Sequence, residues 1–287
     1  MPRRGKGLYM MKLGLVDYFL DEFHANNYPK WINEASGGDI QAIYAYAEID
    51  SPKSGLSTDE WCKNHNIQRI DTVEELAAKS DGIIVLSPDN PERHEELCRV
   101  PLQSGKRVYV DKTFAETKES ALRIFAVAEA HNTPCYSSSA LRFADEYRDI
   151  DRGCVANIVS RGPGPLAQYG VHQIEPVVAL MGPGVRRVQY TGTAEWPAYT
   201  CEYADMKKAA ISHHGWECPF GMAIDFNDGS TKVLTVESDF FRNFFADMVD
   251  FFRTGDVKVP HEETVAVVAV IEAAVKASEI PGNWILV

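Results

Sequence analysis

From Lys12 onward the chain alternates short β-branched or apolar runs with longer stretches in which apolar residues recur every three or four positions. The runs 12–16, 42–47, 82–87, 107–110 and 134–137 predict strands, each ending near polar or small residues. Between them, Thr72-Val-Glu-Glu-Leu opens like a capped helix, and 91–98 and 117–131 carry helical spacing. This alternation is the signature of βαβ units on a parallel sheet. Ligands of such sheets bind beyond the carboxyl ends of the strands, so Asp17, Glu48, Ser87, Pro88, Asp111 and Lys112 are the first places to seek chemistry.

After Arg142-Phe143 the texture changes to longer, Gly-rich and aromatic segments. Residues 185–193, 221–226 and 231–237 read as antiparallel strands, the last two joined at Asn227-Asp-Gly-Ser, a hairpin signal. Helices are expected over 240–253 and 262–278, the second almost continuously apolar and therefore buried. Residues before Met10 read as a tail. A chain of 287 residues suits two domains sharing a cleft. The expected fold class is α/β: a Rossmann-like, doubly wound parallel-sheet domain of the dinucleotide-binding type over 10–140, then an α+β domain with a mainly antiparallel sheet over 141–287.

Composition narrows the function. A formal charge of -12 argues against a nucleic-acid partner, which requires concentrated Lys and Arg. The six cysteines are scattered, without a C-x-x-C pair, and read as reduced thiols of a cytoplasmic protein. The basic start Met1-Pro-Arg-Arg-Gly-Lys is signal-like, but Lys12 and Asp17 interrupt the apolar run that a signal peptide needs. No stretch is long and apolar enough to predict a membrane span.

Specific motifs begin at Asp81-Gly-Ile-Ile-Val-Leu-Ser-Pro, continue through Pro91-Glu-Arg-His94, and reach Gly105-Lys-Arg-Val-Tyr-Val-Asp111-Lys112-Thr-Phe-Ala. A second segment, Gly164-Pro-Leu-Ala-Gln168-Tyr-Gly-Val-His172-Gln-Ile-Glu-Pro, lies in the second domain. Together they resemble the Gfo/Idh/MocA oxidoreductases, the glucose-fructose oxidoreductase and inositol dehydrogenase group, over most of residues 12–190. The resemblance implies an NAD(P)-dependent oxidoreductase of a sugar, polyol or related carbohydrate, and a homo-oligomer. It assigns Lys112 and His172 to catalysis and Gln168 and Arg142 to the substrate. Glu48, Ser87, Pro88, His94 and Asp111 fall to the cofactor, with Glu48 on the ribose favouring NAD over NADP. An ammonium at Lys112 can stabilise the alkoxide-like charge that develops as hydride leaves carbon, and His172 can take the hydroxyl proton.

The chain departs from the family pattern at named positions. Asp111-Lys112-Thr113 stands for Glu-Lys-Pro, and the neutral Gln168 stands where the family has an acid four residues before the histidine. In the first turn, Asp17, Phe19 and Glu22 occupy the places of the three glycines that let backbone amides approach a pyrophosphate. Two acids there would repel it. Two other readings of the same residues therefore stay open: a non-catalytic or cofactor-independent carbohydrate-binding descendant, and a lyase or epimerase using the Lys112/His172 pair. Asp17, Asp21 and His24 have helical spacing, and His213-His214 adjoins Trp216, but neither group is dense enough to predict a metal site.

Overall fold

The computed structural model describes residues 10–287, and the tail expected before Met10 lies outside the described residues. The chain forms two compact units. The first takes the described residues up to Asp111, then Arg123–Tyr136 and Phe245–Lys258, and the second takes Lys112–Leu122, Ser137–Phe244 and Val259–Val287.

In the first unit the elements run β1 (Met11–Asp17), α1 (Phe23–Ser36), β2 (Ile40–Ala47), α2 (Thr58–His65), β3 (Gln68–Arg69), α3 (Val73–Lys79), β4 (Gly82–Val85), α4 (His94–Gln103), β5 (Arg107–Val110), α5 (Lys118–Ala130) and β6 (Cys135–Tyr136). Helix α5 begins in the second unit and continues into the first. The six strands are all parallel, in the order β3-β2-β1-β4-β5-β6. That order reverses direction between β1 and β4, which is the switch point of a doubly wound sheet. Leu13, Leu15, Ile83, Ile84, Val108 and Val110 are fully buried, which explains why these strands read as continuous apolar runs. At Gly14 a Cβ would lie 2.4 Å from the Leu76 side chain, so the glycine lets α3 pack directly on β1. Helix α2 opens with a complete capping box between Ser57 and Glu60.

The second unit contains β7 (Val155–Pro163), α6 (Leu166–Met181), β8 (Val185–Tyr190), β9 (Ala198–Tyr203), β10 (Lys208–His214), β11 (Gly221–Phe226), β12 (Thr231–Thr235), the start of α7 (Phe240–Thr254), α8 (His261–Glu279) and β13 (Trp284–Leu286). Its seven-stranded sheet has the order β12-β11-β7-β10-β9-β8-β13 and is antiparallel except where β10 runs parallel to β7. The hairpin expected at Asn227-Asp-Gly-Ser joins β11 to β12, with Gly229 in the left-handed region at φ 85°. Val171, Ile174 and Val178 of α6 and Val267, Val270 and Ala274 of α8 share one core with the inward residues Ile158, Val188, Ile211 and Ile224. On the opposite face Ala210, Val159, Ala223 and Val233 stand in register across four strands, with Val159 48% and Val233 75% exposed. Among the described residues no helix is long and apolar enough to cross a membrane.

Candidate active site

The carboxyl edge of the parallel sheet gathers a buried acid cluster. Asp17 ends β1, and Glu22 is the N-cap of α1, its backbone extended at φ -138° and ψ 171°. The Glu22 carboxylate accepts the N–H of His24 at 2.6 Å and also that of Ala25. Glu22 is thus the acceptor for amides that would otherwise be orphaned at the helix start. The His24 ring hydrogen-bonds the Asp111 carboxylate, to which the Tyr109 hydroxyl donates at 3.3 Å. Asp17, Glu22, His24 and Asp111 are all buried.

Burial and the nearby Glu22 push the Asp17 carboxyl well above its ordinary range, with Asp111 adding to the effect. One Asp17 oxygen accepts the Tyr18 N–H at 2.7 Å; the other, Oδ2, has no hydrogen-bond partner among the described residues. Burial likewise raises Glu22 from 4.5 to about 7, against the opposing pull of His24 and the two capping amides. Phe19, at the second glycine position, is buried, and the Lys53 ammonium lies 5.4 Å from its ring centre.

Glu48 follows β2 and pairs with Arg93 at 2.6 Å. The Arg93 guanidinium also reaches Glu96 at 3.0 Å and lies over the Tyr18 ring at 5.2 Å. Ser87, just past β4, is buried with φ 84°, and its carbonyl accepts the Asn90 N–H at 3.1 Å, closing a tight turn around the half-buried Pro88. His94 is fully buried at the start of α4, its ring nitrogen 2.5 Å from the Leu86 carbonyl. It braces the loop after β4 from beneath.

In the second unit Lys112 is the first residue; it is half-buried and joined to Thr113 by a cis peptide bond. Helix α6 covers both Gln168 and His172, so their spacing of four does place them on one face; Gln168 is exposed and His172 half-buried. The His172 Nδ1 lies 2.7 Å from the Ser139 hydroxyl. Ser139 was not singled out in the sequence, where the Ser137-Ser-Ser tract gives no periodic signal.

Beneath this pair, Ser138 donates to the buried Glu175 at 2.9 Å, while Arg142 bridges Glu175 at 3.3 Å and Glu263 at 2.5 Å. Burial raises the Glu175 carboxyl, and Arg142 and Ser138 pull it back down. Arg142, assigned to substrate by the resemblance, thus has its side chain engaged in an internal ion-pair network. Around His172 lie Tyr169 at 5.0 Å and Phe220 at 6.1 Å between ring centres, and Tyr169 packs edge-on against the exposed Trp216 at 4.7 Å.

The other histidine pair divides. His213 is buried, hydrogen-bonded to the Gly164 carbonyl at 3.0 Å and lowered by burial to about 4, whereas His214 is exposed beside Ser212 at 3.0 Å. Among the described residues no group of three or more His, Cys, Asp or Glu side chains is arranged to hold a metal ion.

The sheet order with its switch point, and the second, mainly antiparallel unit, make a doubly wound α/β fold joined to an α+β fold. Solved structures share that fold over nearly the whole chain. GenD2 from gentamicin A biosynthesis, in complex with NAD, matches with a TM-score of 0.76 and 17% identity, covering 100% of this chain and 99% of its own. Scyllo-inositol dehydrogenase from Lactobacillus casei, with bound NAD(H) and scyllo-inositol, matches with a TM-score of 0.77 and 15% identity over 96% of this chain and 99% of its own. Biliverdin reductase from Synechocystis, in complex with biliverdin and NADP+, matches at 0.68 and 14% identity over 94% and 99%. No protein-family model matches the chain, and a comparison with the curated proteins finds no match.

Proposed function

We propose that the protein is an NAD(P)-dependent oxidoreductase acting on a CH–OH group of a sugar, polyol or related carbohydrate. The observation that carries this reading is the parallel sheet in the order β3-β2-β1-β4-β5-β6, with Glu48 beyond β2 and Lys112 two residues past β5. The sheet edge fits the ribose half of a dinucleotide, because Glu48 can accept from ribose hydroxyls while its partner Arg93 can donate to a 2′-phosphate. It fits the pyrophosphate only if Glu22 gives up the α1 amides that it caps.

A bound nicotinamide supplies the hydride donor or acceptor. The chain supplies the rest. The Lys112 ammonium holds the substrate oxygen and stabilises negative charge on it as the C–H bond breaks. With Nδ1–H donating to Ser139, the Nε2 of His172 carries the lone pair that takes the hydroxyl proton. Arg142, Glu175 and Ser138 fix the segment bearing Ser139 and so position His172. Gln168, neutral and exposed, orients a further hydroxyl. The aromatic faces of Tyr169 and Trp216 suit the C–H faces of a sugar ring.

Six free cysteines suit a reducing, cytoplasmic setting, and the aligned Val159 and Val233 face suits association with a second copy. The test is titration of NADH and NADPH into the purified protein, then a screen of polyols and sugars for cofactor reduction. Cofactor binding with turnover of at least one cyclic polyol or sugar supports the reading, and no binding of either cofactor up to about millimolar concentration, a Kd ceiling near -4 kcal/mol, overturns it.

A further inference from the structure

An anion is held at a helix start by backbone N–H groups with no partner inside the helix. At α1 two of those groups are taken, the Glu22 carboxylate accepting from His24 and Ala25, and the next, the Asn26 N–H, bonds the Glu22 carbonyl at 3.0 Å as the first link of the helix. The charged and titratable groups around that carboxylate are Asp17 at the end of β1, His24 and Tyr28 on α1, and Tyr109 and Asp111 at the end of β5. Only His24 among them can carry positive charge, and it already bonds Asp111. One oxygen of the buried Asp17 is left without a hydrogen-bond partner among the described residues. A pyrophosphate placed against an ionised Glu22 would meet like-charge repulsion.

We propose that Glu22 is a built-in competitor for the cofactor pyrophosphate: its carboxylate holds the α1 amides in the free protein, and dinucleotide binding requires it to take up a proton. The inference rests on the cofactor reading above. Because burial places the Glu22 carboxyl near 7, the competitor is charged above that pH and neutral below it. Cofactor affinity therefore rises as pH falls.

The experiment is calorimetric titration of NADH, whose pyrophosphate does not titrate in this range, into the full-length protein and Glu22→Gln at about pH 6, 7 and 8, in buffers of differing ionisation enthalpy. The wild-type protein is expected to take up close to one proton per NADH at the highest pH, and to lose affinity by up to about tenfold per pH unit above neutrality. Glu22→Gln is expected to bind without proton uptake, with a flat pH profile, and about tenfold more tightly at pH 8. Wild-type binding that is independent of pH and releases or takes up no proton overturns the inference and leaves the cofactor reading standing. So does a Glu22→Gln variant that keeps the wild-type affinity and proton count. Failure of both proteins to bind at every pH overturns the cofactor reading together with the inference. The proton count on the wild-type protein is decisive even if the variant does not fold.

Discussion

The imidazole of His24 and the carboxylate of Asp111 meet in the interior of the first unit, joining the first turn of α1 to the residue that follows β5. Removing one partner takes this contact from a buried group, and Asp111 then keeps the Tyr109 hydroxyl. His24→Ala and Asp111→Ala should each cost about 3 kcal/mol of stability, read as a lower urea midpoint with unchanged slope. An effect within about 0.5 kcal/mol would mean that the pair does not hold the turn.

Lys112 and His172 are expected to fail in different ways. Lys112→Met should lower kcat by about 100-fold or more while NADH still binds with near wild-type affinity. His172→Asn should lower kcat by a similar factor and remove the limb of the pH–rate profile that reports the base. Ser139→Ala should act more mildly, shifting that limb rather than abolishing it. Undiminished turnover in Lys112→Met would remove it from the chemistry.

Arg93 bears on cofactor choice. Its guanidinium is paired to Glu48 and lies over Tyr18, so Arg93→Ala should weaken NADPH binding by about tenfold while changing NADH binding much less. Equal losses for both cofactors would make Arg93 a support for Glu48 rather than a contact for the 2′-phosphate.

The stability of the protein should fall as pH rises through neutrality. Glu22 and Asp17 have folded values raised above those of the unfolded chain, so the folded state binds more protons than the unfolded state between those values. For Glu22 the stabilisation is present below about 4.5 and is lost as pH rises through about 7. The expected loss between about pH 5 and pH 8 is on the order of 2–3 kcal/mol, visible in thermal or urea unfolding, and should shrink in Glu22→Gln. A flat profile in the wild-type protein would contradict the burial of these acids.

The row Ala210, Val159, Ala223 and Val233, whose two valines are exposed, offers a test of assembly. Val159→Glu or Val233→Lys should shift sedimenting species toward the monomer without lowering the unfolding midpoint by more than about 0.5 kcal/mol. An unaltered distribution would place any self-association elsewhere.

The parallel sheet was legible because its strands are buried on both faces and so carry unbroken apolar runs, as at Gly82–Val85 and Arg107–Val110. The second sheet was read only in part. Strands β9 and β10 lie within the stretch 195–217, which is too polar and aromatic to alternate cleanly, and the parallel pairing of β10 with β7 has no local signal. Helix α2 was not among the elements expected from the sequence, although Ser57 and Glu60 have the spacing of a capping box. The acids of the first turn were visible as replacements for glycine, but capping by Glu22 was not, because N-cap preferences favour Ser, Thr, Asp and Asn. His172 was singled out by motif resemblance alone. The Ser139, Glu175 and Arg142 network supporting it depends on residues distant in sequence and emerges only in three dimensions.

Helix α7 contributes Phe244 to one unit and Phe245 onward to the other, and the stretch Phe245–Lys258 returns the chain to the unit with which it began. In that stretch Phe252 fills the space that a side chain at Gly82 would need, and the Phe251 ring packs at 4.8 Å from Tyr136. A gene fragment ending near residue 140 would therefore express a sheet stripped of its own carboxyl-terminal plug, with a greasy scar where two phenylalanines belong. The order of translation compounds this: more than a hundred residues separate Tyr136 from Phe245, so the sheet cannot receive its last piece until that stretch has been made.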